Sequence, residues 1–211
     1  KRISTLLLSL FAFSMLANAA GTPDEGMWLP NKIAQLNYGQ MQKLGCKLTA
    51  EEIYSINKSS MKDAIFQLQS AEGSGFCTGE IVSEKGLLFT NHHCGYESIT
   101  KHSTTEHNYL DNGFWAKNHG EELSCPWLRV TRVVRIEDVT SRVLKGIDER
   151  TKESDRAKQV AKAIAEIEEE ATRDNDYEAS VEEMYKGGEY YLFVYEAFGD
   201  VRLVGAPPSS I

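Results

Sequence analysis

"GSGFCTGEIVSEKGLLFTNHHC", residues 73–94, decides how this chain folds. Two apolar runs flank a polar centre, and the period is that of strands, so the stretch reads as an antiparallel hairpin turning at Lys85-Gly86. Pairing Glu84 with Leu87 across a two-residue turn places Cys77 opposite Cys94, seven steps away. Counted from the turn, that is a non-hydrogen-bonded position, where facing side chains approach most closely. A bridge there would close a loop of under about 20 residues, worth roughly 3 kcal/mol in the loop-entropy model. The hairpin ends in Asn-His-His-Cys, so two of the five histidines stand side by side directly before a cysteine.

Upstream, residues 22–45 carry Ile33, Leu36, Met41 and Leu44 at roughly helical spacing, with Gly45 as a stop. Thr49 and Glu52 form a capping box for a short helix that Lys58-Ser-Ser breaks. Strands are expected from Gly73 onward. Downstream, "WLRVTRVVRIEDV" (127–139) is rich in β-branched residues and reads as a strand. Residues 148–186 then carry 13 acidic and 7 basic side chains. Val160, Ile164, Ile167 and Ala171 make one apolar stripe there, which predicts a long helix with a solvated face. "YYLFVYEAF" and "DVRLVGAPP" return to strand. The fold class expected is mainly β with helical insertions.

The first residues read as a secretory leader over 1–19: Lys1 and Arg2, an apolar run, and Ala17-Asn18-Ala19 as cleavage site. That run is too short to span a membrane. The formal charge is −8, and −10 once Lys1 and Arg2 leave with the leader. Such acidity argues against nucleic acid and against anionic membrane surfaces as partners. Export permits disulfides, and Cys46, Cys77, Cys94 and Cys125 allow three full connectivities. The closing strand–turn–strand, with no element after it, reads as a fragment of a longer protein.

Three readings suit His92-His93-Cys94. In the first, His102, His107 and His119 complete a metal site, though adjacent strand residues face opposite ways and the spacings match no zinc signature. In the second, the pair is ordinary polar surface at a strand end. The third is the trypsin-like arrangement, in which the base His immediately precedes a Cys bridged back to the preceding strand. Serine catalysis needs a neutral imidazole that takes the hydroxyl proton and returns it to the leaving amine. A disulfide on the next residue holds that imidazole stiffly, and His93 is then the base, with His92 facing elsewhere.

The chain supplies no convincing nucleophile. Ser74 stands between glycines but at the mouth of the hairpin, and Ser209-Ser210 lack the flanking glycines of an oxyanion-hole turn. Asp200, in "GDVRLV", resembles the strand that carries the orienting acid of trypsin-like enzymes, yet Gly-Asp is also ordinary turn chemistry.

"DEGMWL", "GFCTGEIVSEKGLLFTNHHCGY", "HNYLDNGFWAK" and "YYLFVYEAFGDVRLVGAPPSSI" together resemble the dipeptidyl-peptidase 7/11 family of bacterial exported serine peptidases. The four blocks span nearly all of the chain after the leader. The resemblance implies a trypsin-like double β-barrel carrying a large helical domain, of which residues 20–211 are the N-terminal part. It implies release of dipeptides from free N-termini by a Ser-His-Asp triad, with no metal and no cofactor. Its base falls on His93. Its acid, its nucleophile and the residues that grip the substrate ammonium fall beyond Ile211, which leaves Asp200 a turn residue and this fragment inactive alone. Peptides or oligopeptides are the expected partners, a homo-oligomer is left open, and the expected location is the periplasm, cell surface or medium. A trypsin-like endopeptidase and a non-catalytic exported binding module on the same barrel are the rival readings.

Overall fold

The computed structural model describes residues 28–148 and 150–209. The secretory leader expected over residues 1–19 lies outside them. Pro30–Lys32 forms a single 3₁₀ turn, followed by α1 (Ile33–Leu36), α2 (Tyr38–Lys43) and α3 (Ala50–Ile53). The strands are β1 (Ile65–Ser70), β2 (Gly75–Ile81), β3 (Leu88–Thr90), β4 (Phe114–Trp115), β5 (Leu123–Ser124), β6 (Leu128–Asp138), β7 (Glu178–Met184), β8 (Glu189–Phe198), β9 (Arg202–Leu203) and β10 (Gly205–Ala206). Between them lie α4 (His92–His102), α5 (Tyr109–Asn112), α6 (Thr140–Val143) and α7 (Glu153–Thr172). Strand outweighs helix in organising the molecule, as the fold class required. Among the described residues no helix is long and apolar enough to cross a membrane.

One antiparallel six-stranded sheet, in the order β3-β2-β1-β6-β8-β7, forms the frame. Two short ladders, β4 with β10 and β5 with β9, lie beside it. At one end α6 and α7 cover the sheet: Val139, Val143, Ile167 and Ala171 meet Tyr190, Leu192 and Val194 in the main core. Val160 and Ile164 complete the stripe that faces the sheet. Each fully buried aliphatic side chain of this kind contributes roughly 1.5–3 kcal/mol, so helix α7 is held by its apolar face while most of its charged side chains are exposed.

The helical stretch expected over 148–186 is shorter than its composition suggests. Helix α7 ends at Thr172, and β7 follows as a strand paired along its length with β8. The acidic "EASVEEM" reads locally as more helix, but Val181 opposite Leu192 and Ala179 opposite Val194 bury its apolar positions on the core. Tertiary pairing overrides the local preference. Strands also begin earlier than Gly73, at Ile65. The stripe expected over 33–44 breaks at Asn37, and Leu36 and Leu44 are exposed. Gly45, with φ near +100°, does end that segment. The capping box at Thr49 forms with both reciprocal hydrogen bonds.

The hairpin of residues 73–94 is present with a different register. Leu88 pairs with Ile81, Phe89 with Glu80 and Thr90 with Gly79, two residues out from the expected pairing. Four residues, 83–86, make the connection instead of two, because Ser83 Oγ accepts from the backbone N–H groups of Lys85 and Leu87. Gly86 closes the turn at φ +80° and donates to the Ser83 carbonyl. A hydroxyl bonded to the backbone two and four residues on nucleates such a turn. Gly79 is where β2 and β3 come closest: a Cβ there would stand 2.5 Å from Leu88 Cδ2 and 2.6 Å from the Phe89 carbonyl oxygen. Gly79→Ala should therefore cost about 1–3 kcal/mol, read as a lowered urea midpoint; an unchanged midpoint would show that the strands are not so tightly apposed.

Candidate active site

Strand β3 stops at Thr90, whose hydroxyl donates to the Thr78 carbonyl at 2.7 Å. Asn91 stays extended, and α4 begins at His92. The change from strand to helix turns the chain back over β2, and this brings Cys94 to Cys77. Their sulfurs are bonded, with 6.0 Å between the Cα atoms. In the observed register Cys77 would face residue 92 if β3 ran on, so the bridge is not a cross-strand pair. It joins a strand to the first turn of a helix. The same two cysteines meet, by a different geometry from the one the hairpin count implied.

The helix is fastened along one side. Cys94, Ser98 and Ile99 are buried, at spacings of four and five that keep one face inward. Trp127 Nε1 donates to Ser98 Oγ at 3.1 Å, and Lys101 Nζ lies 4.5 Å above the Trp127 ring. His102 stacks at a tilt on the same indole, 5.3 Å between ring centres. Ser103 Oγ caps the far end on the Ile99 carbonyl and accepts from the Leu110 N–H. None of these supports touches His93. Its side chain is exposed at the start of α4.

A ring nitrogen of His93 lies within 4.8 Å of both Cys77 Sγ and Cys94 Sγ. Those sulfurs are joined to each other and offer no thiolate, so the grouping is a histidine beside a disulfide and not a ligand set. The other histidines have separate surroundings. His102 meets Cys125, His107 stacks on Tyr109, and His119 pairs with Glu122. They do not converge on His92 or His93.

Cys46 and Cys125 are both free thiols and do not bond to one another. Cys125 is fully buried behind α4, 3.5 Å from His102 Nε2, whereas Cys46 sits half-exposed in the N-terminal segment. Burial pushes the Cys125 thiol above its ordinary pKa, which keeps it neutral and unreactive.

Ser74 belongs to the exposed turn between β1 and β2, where its carbonyl accepts from the Ser70 N–H and Gly73 adopts φ +93°. Asp200 turns the chain from β8 to β9 at φ +53°. Its carboxylate is gripped by Arg202 through two hydrogen bonds of 2.9 and 2.7 Å, which hold it below the usual carboxylate range. That forked pair makes it a turn residue. The support behind α4, from Ser98, Cys125 and Trp127, was not recognised from sequence, because it joins residues about thirty apart through tertiary packing alone.

The chain matches the family model described as Peptidase S46 over residues 23–211. It is 51% identical over 186 residues to an Asp/Glu-specific dipeptidyl-peptidase of Capnocytophaga gingivalis, covering 88% of this chain and 25% of that protein. It is 43% identical to a dipeptidyl-peptidase 7 of the same organism, covering 100% of this chain and 28% of that one. The crystal structure of Porphyromonas endodontalis DPP11 in complex with the dipeptide Arg-Glu superposes with a TM-score of 0.75 at 42% identity, over 89% of this chain and 28% of the other. The chain thus spans about a quarter of the length of the curated relatives it matches. A family model covering nearly all of its residues, and a fold shared with a solved relative, place the chain in the peptidase S46 family.

Proposed function

We propose that the longer protein containing this chain is an exported serine-type dipeptidyl aminopeptidase, with His93 as its general base. The observation that carries this is a family peptidase sequence in which one exposed histidine sits on a helix turn bonded by Cys94 to strand β2. In this reading a serine from later in the polypeptide gives its proton to the neutral His93 ring and attacks the scissile carbonyl. The ring then returns the proton to the leaving amine, and an aspartate, also from later in the polypeptide, orients it. Residues 1–19 are the leader and 20–211 the N-terminal part of a trypsin-like double barrel, with α7 in an acidic insertion. The exposed Ile65 and Phe89, which flank Glu80 in one row across three strands, support further packing by the same protein on this sheet edge. A structural disulfide fits an oxidising compartment, the periplasm or cell surface.

Exopeptidase action requires a polar pocket for the substrate ammonium at a fixed distance from the nucleophile, and a blocked channel beyond it. The complete protein, incubated with a peptide bearing a free or an acetylated N-terminus, should release dipeptides from the free form only, as read by mass spectrometry. Cleavage of the acetylated peptide would make it an endopeptidase, and cleavage of neither would make it a binding module. Peptides with an acidic and with an apolar second residue belong in the panel, since one relative that matches this chain is named Asp/Glu-specific and another carries no such specificity in its name.

A further inference from the structure

His92, one residue before the proposed base, has a role that the peptidase mechanism leaves unassigned. It is the first residue of α4 and is half-buried, and its Nε2 is shielded from solvent with no hydrogen-bond partner among the described residues. Its ring meets Tyr96 edge-on, 6.3 Å between centres. That contact sets the plane of the ring but satisfies no nitrogen. Buried polar side-chain atoms are bonded in the large majority of folded proteins, so an orphan one calls for a partner.

The first turn of α4 is also under-restrained for a residue that must aim a proton acceptor. Its helix has no side-chain cap, since Asn91 makes no capping bond. Cys94 ties it to β2 at one covalent point, and the other supports of α4 lie further along, from Ser98 onward. Consecutive helical residues are about 100° apart and share a peptide plane, so a second tether on His92 would set the direction of His93 directly.

We infer that His92 is a positioning residue: in the complete protein its Nε2 hydrogen-bonds to an oxygen supplied by the rest of the polypeptide, and this second tether orients His93. The inference rests on the peptidase reading for its catalytic consequence, and on a longer protein of the kind found in relatives, of which this chain covers about a quarter.

The test uses the full-length protein and two substitutions. His92→Phe keeps the ring and its Tyr96 contact but removes the nitrogens; His92→Gln restores a hydrogen-bonding amide near the position of Nε2. His92→Phe should lose about tenfold or more in kcat with KM within about twofold, the size and pattern of one lost hydrogen bond that matters in the transition state. Amide hydrogen exchange over residues 91–102 should quicken about tenfold in the same variant. His92→Gln should recover kcat to within about threefold and return exchange to the wild-type rate. Wild-type kcat and exchange in His92→Phe, or a Gln variant no better than Phe, would overturn the inference. So would a loss accompanied by free thiols at Cys77 and Cys94, which would mean general unfolding. The exchange comparison stands even if the wild type releases no dipeptide, in which case the peptidase reading alone fails.

Discussion

His93→Ala in the full-length protein should lower dipeptide release by about 10⁴-fold or more, the scale on which loss of a triad histidine acts. The drop should fall on kcat, because the imidazole acts on the proton in flight and not on the bound peptide. Stability should hardly move. His93 is exposed, and among the described residues α4 is fastened through Cys94, Ser98, Ile99, Lys101, His102 and Ser103. Surface substitutions of this kind stay within about 0.5 kcal/mol. Thermal unfolding and peptide turnover measured on one preparation separate the two effects. Near-wild-type turnover in the variant would remove His93 from the mechanism and return attention to His92. A loss of activity matched by a large loss of stability would make His93 a structural residue.

The second large effect concerns the clamp. Replacing Cys77 and Cys94 together by serine opens a loop of sequence separation 17. In the loop-entropy model this costs roughly 3 kcal/mol, mostly by freeing the unfolded chain. Activity should fall further than that number implies, because the bridge is the covalent tie between the sheet and the turn that bears the proposed base. We expect a urea midpoint shifted down and, at urea concentrations where both proteins are fully folded, at least a tenfold deficit in kcat, since small misplacements of a catalytic group cost that much. Alkylation without reductant should label Cys46 and, once the chain is unfolded, Cys125, but neither Cys77 nor Cys94. A double-serine variant with full activity while folded would show that the sheet and Trp127 side hold α4 unaided.

Local features were legible in the residues. The Thr49–Glu52 box closes as written, since both of its bonds lie within four residues. Strand β6 follows from its β-branched run, and the Val160, Ile164, Ile167, Ala171 stripe marks the buried face of α7. Readings that needed a neighbour to decide them fared less well. Residues 178–184 carry the acidic composition of the helix before them, and become strand only because β8 offers a ladder and a core. Leu36 and Leu44 have helical spacing but no surface to meet among the described residues. Which cysteines beyond Cys77 and Cys94 pair was open in the residues; Cys46 and Cys125 stay free, one half-exposed near the start and the other sealed behind α4.

At the candidate site the same division holds. By itself the sequence singled out the candidate residues: a histidine directly before a cysteine, at the end of a strand, in blocks that resemble an exported peptidase family. It also determined that Cys77 and Cys94 are near one another, since a hairpin of that length has little freedom to separate its ends. Only the tertiary structure decided how they meet. Ser83 sets a four-residue turn, the register moves by two, and Cys94 reaches Cys77 from a helix instead of across a ladder. It alone decided which histidine is outward: His93 is exposed, while His92 is half-buried with its Nε2 shielded from solvent. A covalent proximity can be counted along a chain, whereas the direction of a side chain depends on what the rest of the fold packs against its neighbours.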